Sequence, residues 1–386
     1  MAMKEKTVTS PEARLEEARA YYARELGDGV ERFVGAPYDA CPWCGSADFG
    51  LRIVCRDIRQ FKPGTFRLDE CRDCGHVFQN PPQTDEGLTF YYRDTYDGLS
   101  AERTEASLET MGPIYRSRAE TIARIRPDTP RRWLDVGTAS GHFPAAAKEV
   151  FPETAFDGLD MSDGVLNGVA AGRIEKGHQG QFPDLSGELA GQYDQISMFH
   201  YLEHVRDPFA DLDAVVETLS DDGWFLIEQP DPHARSAKLF GSWWPGWNQP
   251  EHLHMITEPN LVRALEERGM EVVEVVHREA HIPAEAFIIV MTLLNRLAPT
   301  IEMPWLSEQR RPGRLRRLLA KLVIAPLVPL AMFLDKTFLP KVLKSYHAYR
   351  IVARKVPRAA EHPAGPGAAA TSTPDASSAS PDPNGS

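Results

Sequence analysis

The sequence predicts an α/β fold, a Rossmann-like sheet with a small cysteine-bearing domain before it and a helical extension after it. Three stretches carry that expectation. Trp133-Leu134-Asp135-Val136 is a short apolar run holding a carboxylate near its end, followed by Gly137 and Gly141, four residues apart. Phe156 to Leu159 is a second apolar run, closed by Asp160. Tyr193 to Phe199 is a third, leading through Leu202-Glu203-His204 to a helix expected near Pro208. Short apolar runs separated by helix-length connections are the pattern of parallel strands joined by crossovers.

Taken in order, Ser10-Pro11-Glu12 opens a charged helix through Glu25 and defines an N-terminal unit over residues 1–36. No apolar core or arginine-rich, acid-poor pattern marks the first thirty or so residues, so a cytoplasmic location is expected. Residues 37–84 form the second unit. Four of the five cysteines fall there in two pairs, Cys41-Pro42-Trp43-Cys44-Gly45 and Cys71-Arg72-Asp73-Cys74-Gly75, with 26 residues between them. Two residues between thiols let both sulfurs converge on one ion, so these four cysteines are candidate ligands of a structural zinc. Strands are expected over Leu51 to Val54 and Thr65 to Leu68. Four thiolates close a tetrahedral shell and leave no position for water or substrate. Disulfides are the alternative, disfavoured in a reducing compartment. Cys55 lies outside the pattern and reads as a packed thiol. Asn80-Pro81-Pro82 reads as a rigid turn out of the ribbon.

Residues 85–300 hold the sheet. In the turn after Val136, glycines let bare backbone approach a ligand before a helix begins, and a carboxylate at Asp160 suits the two hydroxyls of a ribose. A dinucleotide fingerprint would read G-x-G-x-x-G; this chain reads Asp135-x-Gly137-x-x-x-Gly141 and continues into His142, Phe143 and Pro144. The D-x-G-x-x-x-G turn with Gly158-Leu159-Asp160-Met161 resembles motif I and the following acidic loop of class I S-adenosylmethionine-dependent methyltransferases, with Ala139 where many members carry glycine. Leu202, Glu203, His204, Asp207 and Pro208 resemble the strand-four exit of one branch of that family. The paired Cys-x-x-Cys-Gly motifs, Asn80-Pro81-Pro82 and Tyr91-Tyr92 resemble its zinc-ribbon members. The resemblance covers roughly residues 38 to 295. It implies a seven-stranded sheet with an antiparallel last strand and S-adenosylmethionine as cofactor, held by Asp135, Gly137, Gly141, Asp160, Met161, Gln181, Phe182 and Phe199.

Ligands of open α/β sheets bind beyond the carboxyl ends of the strands, so residues leaving Phe199 and those after a strand at Trp224 to Glu228 face an acceptor. Gln229 to Ile256 is a long connection rich in aromatic and titratable groups, among them Phe240, Trp243, Trp244, Trp247, Glu251, His252 and His254. It reads as a substrate lid, against the alternative of ordinary core. A helix is expected from about Pro259. A sulfonium methyl is already electrophilic, so positioning and exclusion of water come first. For a hydroxyl acceptor, His252 is the first candidate base and His200 the second, with a pKa near working pH; His204 and Glu203 orient the loop.

The net charge of −12 argues against a nucleic-acid partner. The charge is segregated, however. Residues 310–358 carry thirteen Lys or Arg against the single acid Asp335. This unit, over 301–358, reads as a basic apolar helical extension; Leu322 to Leu334 lacks charge but is too short to span a bilayer. An extra helical layer or dimer contact is the first reading. The other is a surface-lying membrane segment with Leu318, Leu319, Phe333 and Phe338 in the interface and Arg310, Arg311, Arg314, Arg316 and Arg317 at anionic headgroups, which would put the protein at the inner face of the membrane. Residues 359–386 are rich in Ala, Ser, Pro and Gly and are expected to be disordered. The expected activity is methyl transfer to a small molecule, a sugar, polyketide-like or lipid-linked intermediate, at oxygen, with C-methylation of a sugar, an RNA acceptor or a non-enzymatic cofactor-sensing docking module as alternatives.

Overall fold

The computed structural model describes residues 10–95, 99, 101–277, 284–298, 303–306 and 314–356. The expected disordered tail, and Arg310 and Arg311, lie outside them. Helix α1 (Pro11–Gly27) begins where Ser10 caps it, the hydroxyl accepting from the Ala13 amide at 3.2 Å. Strands β1 (Phe49–Cys55), β2 (Phe66–Cys71) and β3 (Val77–Gln79) follow as an antiparallel meander. The main sheet has seven strands. In spatial order they are β10 (Met270–Val276), β11 (Ala348–Lys355), β8 (Leu219–Pro230), β7 (Tyr193–Phe199), β4 (Arg132–Val136), β5 (Ala155–Asp160) and β6 (Gly177–Gln179). β8, β7, β4, β5 and β6 pair in parallel, whereas β11 runs antiparallel to both neighbours. This is a mixed, Rossmann-like sheet.

Parallel strands covered on both faces need continuous apolar runs, which is why β4 and β7 are buried almost end to end. On one face, α4 (Gly112–Ile125) presents Tyr115, Ala119 and Ile122 to Trp133, Phe143 and Phe156. On the other, α8 (Pro208–Thr218) and α10 (Glu258–Glu266) place Leu212, Val215, Leu261 and Leu265 against Leu134, Ile196 and Ile227. Asp207 caps α8, accepting from the amides of Phe209 and Ala210 at 3.0 and 3.1 Å.

Three expectations need correction. The sheet does not end by residue 300: β11, inside the segment expected as a helical extension, inserts between β8 and β10. The apolar helices are therefore an insertion within the sheet, comprising α11 (Glu285–Leu297), α12 (Arg314–Ile324) and α13 (Leu327–Phe333), which runs on into a π-helical stretch, Leu334–Val342. Second, the charge-free stretch is not a short segment. It lies in a helical run, Leu315–Val342, of 28 residues that joins α12, α13 and the π-helical stretch through a turn at Ala325–Pro326 and is long and apolar enough by length and composition to cross a membrane. Third, the connection after β8 is not a free lid. Its residues His254–Met255 form β9, which pairs with β3 and extends the small β1–β3 sheet to four strands. Trp244 and Trp247 are buried with Cys55, Leu68 and Val77 of the ribbon. The alternative of ordinary core holds for both tryptophans.

Candidate functional site

The carboxyl ends of β4, β5, β7 and β8 lie side by side, and the sequence-derived residues gather there in two groups. In the first, Gly137 and Gly141 both adopt left-handed backbone angles, φ +75° and +78°. A Cβ on Gly137 would come within 2.7 Å of the Tyr201 ring, so glycine is required for packing as well as for the turn. Ala139 shares the left-handed region at φ +50°, a conformation that L-residues adopt at a cost of about 1 kcal/mol. The strain is held by a specific contact: the Ala139 amide donates to Asp160 Oδ2 at 2.9 Å. Asp160 Oδ1 accepts from the amide and hydroxyl of Ser162 at 2.8 and 2.7 Å. The carboxylate is thus oriented at the strand tip, with lone pairs left on each oxygen for further donors.

Asp135 is buried and accepts from the Ser197 hydroxyl of neighbouring β7 at 2.7 Å. Burial pushes its carboxyl up to about 7, against the Ser197 and Thr138 hydroxyls. Above the turn, the carboxylate of Glu105 on α3 (Ala101–Glu109) accepts from Ser140 Oγ at 2.7 Å and Arg173 Nη1 at 2.6 Å. Burial opposes that charge, yet these partners hold Glu105 down at about 2. Nothing in the sequence marked Glu105, whose partners lie beyond β4. Met161 is 66 % exposed beside Asp160, and Gln181 is exposed at the start of α7 (Phe182–Leu185). Phe182 departs from its expected place: it is fully buried among Leu134, Leu159 and Ile196, so its ring packs the core and does not face a ligand.

The second group surrounds the exit of β7. Phe199 packs edge-on against Phe143 at 4.6 Å, with the Arg118 guanidinium 4.2 Å above its ring. His200, at φ +52°, sets Nε2 3.2 Å from Glu228 and Nδ1 3.3 Å from Glu203, both fully buried carboxylates. Burial disfavours the imidazolium, but the two acids prevail and raise His200 to about 9. It is a cation at neutral pH, which removes the expectation of a base near working pH. Glu228 also binds Arg118 Nη2 at 2.6 Å and, across the strand pair, Arg350 Nε and Nη2 at 3.0 and 2.8 Å. Neither arginine was marked by the sequence, since one comes from α4 and the other from β11.

His252 is buried, and its Nδ1–H donates to the Gly246 carbonyl at 3.0 Å, which leaves Nε2 facing Glu203 at 3.8 Å. Its ring lies edge-on to His204 at 4.7 Å. Burial, and the neighbouring His204, lower His252 to about 3, far below the expected range. His204 Nδ1 meets the Tyr92 hydroxyl at 2.7 Å and the Glu251 carbonyl at 3.0 Å. Tyr92 stands at the end of α2 (Asp85–Tyr92), while its neighbour Tyr91 turns into the core to donate to the Pro63 carbonyl at 2.8 Å. Glu251 is buried with its carboxylate toward Thr95 Oγ1 at 3.3 Å; burial raises it to about 7. Glu203, His204 and His252 bring donor atoms within 4.8 Å of one another, a set with the chemistry to bind a divalent cation.

The ribbon cysteines also meet. Cys41, Cys44, Cys71 and Cys74 place their sulfurs within 4.8 Å of one another, with Cys41 to Cys74 at 3.8 Å and Cys44 to Cys71 at 3.6 Å. Cys55 stands apart, buried under Trp244 and Trp247, and burial raises its thiol to about 12.

Residues 113–275 match the family model of a methyltransferase domain. Over 151 residues the chain is 25 % identical to a ubiquinone biosynthesis O-methyltransferase of Bordetella avium, a match covering 37 % of this chain and 62 % of that enzyme's length. Among solved structures, a SAM-dependent methyltransferase from Archaeoglobus fulgidus is similar at 17 % identity and a TM-score of 0.41, covering 63 % of this chain and 94 % of that one. Coclaurine N-methyltransferase is similar at 12 % identity and a TM-score of 0.41, covering 62 % and 71 %. The glycine turn, Asp160 and the strand ends that frame them all lie inside the matched segment. The segment that holds the candidate site is thus the one similar to methyltransferase domains.

Proposed function

We propose that the chain methylates a small-molecule acceptor at oxygen, with Asp135, Gly137, Gly141, Asp160, Met161, Gln181 and Phe199 around the cofactor and a structural zinc in the ribbon. The observation that carries the cofactor reading is the Ala139 amide bound to Asp160, which presents one oriented carboxylate and a bare glycine turn at adjacent strand tips. That pairing fits a ribose and the polar tail of an amino acid. When bound, S-adenosylmethionine supplies an electrophilic methyl group. The chain's own residues then have to orient the acceptor and remove its proton.

His200 is held as a cation with both ring nitrogens engaged by Glu203 and Glu228, so its role is to brace the exit of β7 and fix the two carboxylates beside the acceptor space. His252 is a neutral acceptor at Nε2 whose Nδ1–H is anchored on Gly246. Glu251, next to His252 in the chain, has its carboxylate toward Thr95 and is raised to about 7 by burial, which makes it a second candidate for the final proton sink beside His252.

Asp160→Ala is expected to weaken binding of S-adenosylhomocysteine about 10- to 100-fold in isothermal titration, the range for losing charge-assisted hydrogen bonds to a ribose. Affinity within twofold of wild type would remove Asp160 from the cofactor site. A base must be deprotonated, so kcat should rise with pH through about 7 if Glu251 is the sink. Glu251→Gln should flatten that limb and lower kcat. A limb that survives in Glu251→Gln and is lost in His252→Ala would return the role to His252.

Four convergent thiols among the described residues support zinc over disulfides, because the sulfurs cluster as one group and not as two bonded pairs. The layout follows: ribbon at 37–84, methyl-transfer domain from 85 to β11, and helical insertion within it.

A further inference from the structure

The insertion between β10 and β11 presents an apolar surface that the sheet does not use. Helix Leu315–Val342 has one face taken by the protein: Ala320, Ile324, Ala331, Asp335 and Leu339 are buried. Asp335 fixes that face by accepting from the amides of Ala286 and Phe287, at 2.8 and 2.9 Å, at the start of α11. The opposite face carries Leu315, Leu318, Leu322, Val323, Leu330 and Phe333, each more than half exposed. Phe287 and Ile288 of α11 add to it. A soluble surface rarely exposes so continuous an apolar run.

Charge narrows the occupant. Among the described residues from 315 to 344 the exposed charged side chains are all cationic, namely Arg316, Lys321, Lys336, Lys341 and Lys344, and the one acid is the buried Asp335. A chain of net charge −12 concentrates positive charge at this one apolar face. Apolar side chains flanked by lysine and arginine match the interface of a bilayer with anionic headgroups. A second copy of the chain would set these cations against one another. The helix is also not free to span the bilayer, because its other face is occupied by α11 and the chain re-enters the sheet at Ala348 soon after Val342.

The face is coupled to the site. Glu285, first residue of α11, is buried; its carboxylate accepts from Ser236 Oγ at 2.7 Å and from Trp244 Nε1, both in the segment after β8 that carries Glu251 and His252. We propose that this face docks the protein in one leaflet of an anionic membrane, with the acceptor an amphiphile delivered from that leaflet. The acceptor half rests on the methyl-transfer reading; the docking half does not.

The test is flotation of the full chain with vesicles of phosphatidylcholine alone or with about one-third phosphatidylglycerol, scored by protein in the floating fraction. Wild type should float with the anionic vesicles, less so at high salt. Leu322→Glu with Phe333→Glu should abolish flotation, and Lys336→Glu with Lys341→Glu should reduce it about tenfold or more. Each variant's circular dichroism and S-adenosylhomocysteine affinity should match wild type, which separates docking from folding and from the cofactor site. Absence of wild-type flotation overturns the proposal. So does a dimer in solution that Leu322→Glu with Phe333→Glu converts to monomer, since a second copy would then cover the face. If flotation holds and no methyl is transferred to any lipid extract, docking stands and the amphiphilic acceptor is overturned.

Discussion

Glu228→Ala is expected to lower stability by about 3–5 kcal/mol, measured as a shift of the urea midpoint. The carboxylate is fully buried and balances Arg118 and Arg350, themselves nearly inaccessible, together with His200. Removing it leaves two guanidinium groups without their main counter-charge in a space that water does not reach. Arg350 also meets Thr121 Oγ1 at 2.6 Å and the Ser117 carbonyl at 3.3 Å, neutral groups that do not replace the carboxylate. The same change should bring the His200 titration down from about 9, because one of the two carboxylates that hold its proton is gone. A loss below about 1 kcal/mol would mean that the arginines swing to solvent and that the cluster does not brace the strand ends.

Removal of zinc should be the other large effect. One zinc per chain is expected by metal analysis, and Cys71→Ser or prolonged chelation should lower stability by at least about 3 kcal/mol, since structural zinc contributes about 10–16 kcal/mol to isolated zinc-finger folding. The consequence should reach the segment after β8. β3 lies between β2 and β9, and Gln79 Nε2 donates to Gln249 Oε1 at 2.7 Å, so a slack ribbon loosens the backbone that carries Glu251 and His252. Metal-free protein of unchanged melting temperature would show that packing alone holds the four cysteines together.

The parallel half of the sheet was legible because each of its strands writes a local signature: an apolar run, then glycine or an acid, then a helix start. Trp133 to Gly141 and Phe156 to Asp160 need no distant partner to be read. β11 was not legible because an insertion carrying α11, α12 and α13 stands between it and β10, and the composition of that insertion colours its surroundings. The lid reading failed for a similar reason. Trp244 and Trp247 look like a ligand-facing cluster until Cys55, Leu68 and Val77 are brought under them from the far end of the chain. Phe182 was misplaced because a turn beside an exposed Gln181 gives no sign that the next side chain faces inward. Local sequence placed His200 and His252 near the strand ends, but their protonation is set by Glu203, Glu228 and burial, which only the assembled fold supplies.

The position of β11 also constrains the order in which the molecule is made. Among the described strands β10 borders only β11, so the edge that β11 covers is unpaired when residue 276 leaves the ribosome and is paired when residues 348–355 follow. In the interval the apolar helices have already emerged. Pairing so distant in the chain is slow to form, and surfaces of this kind aggregate when left waiting. The insertion thus sets a delay between the making of β10 and its closure into the sheet.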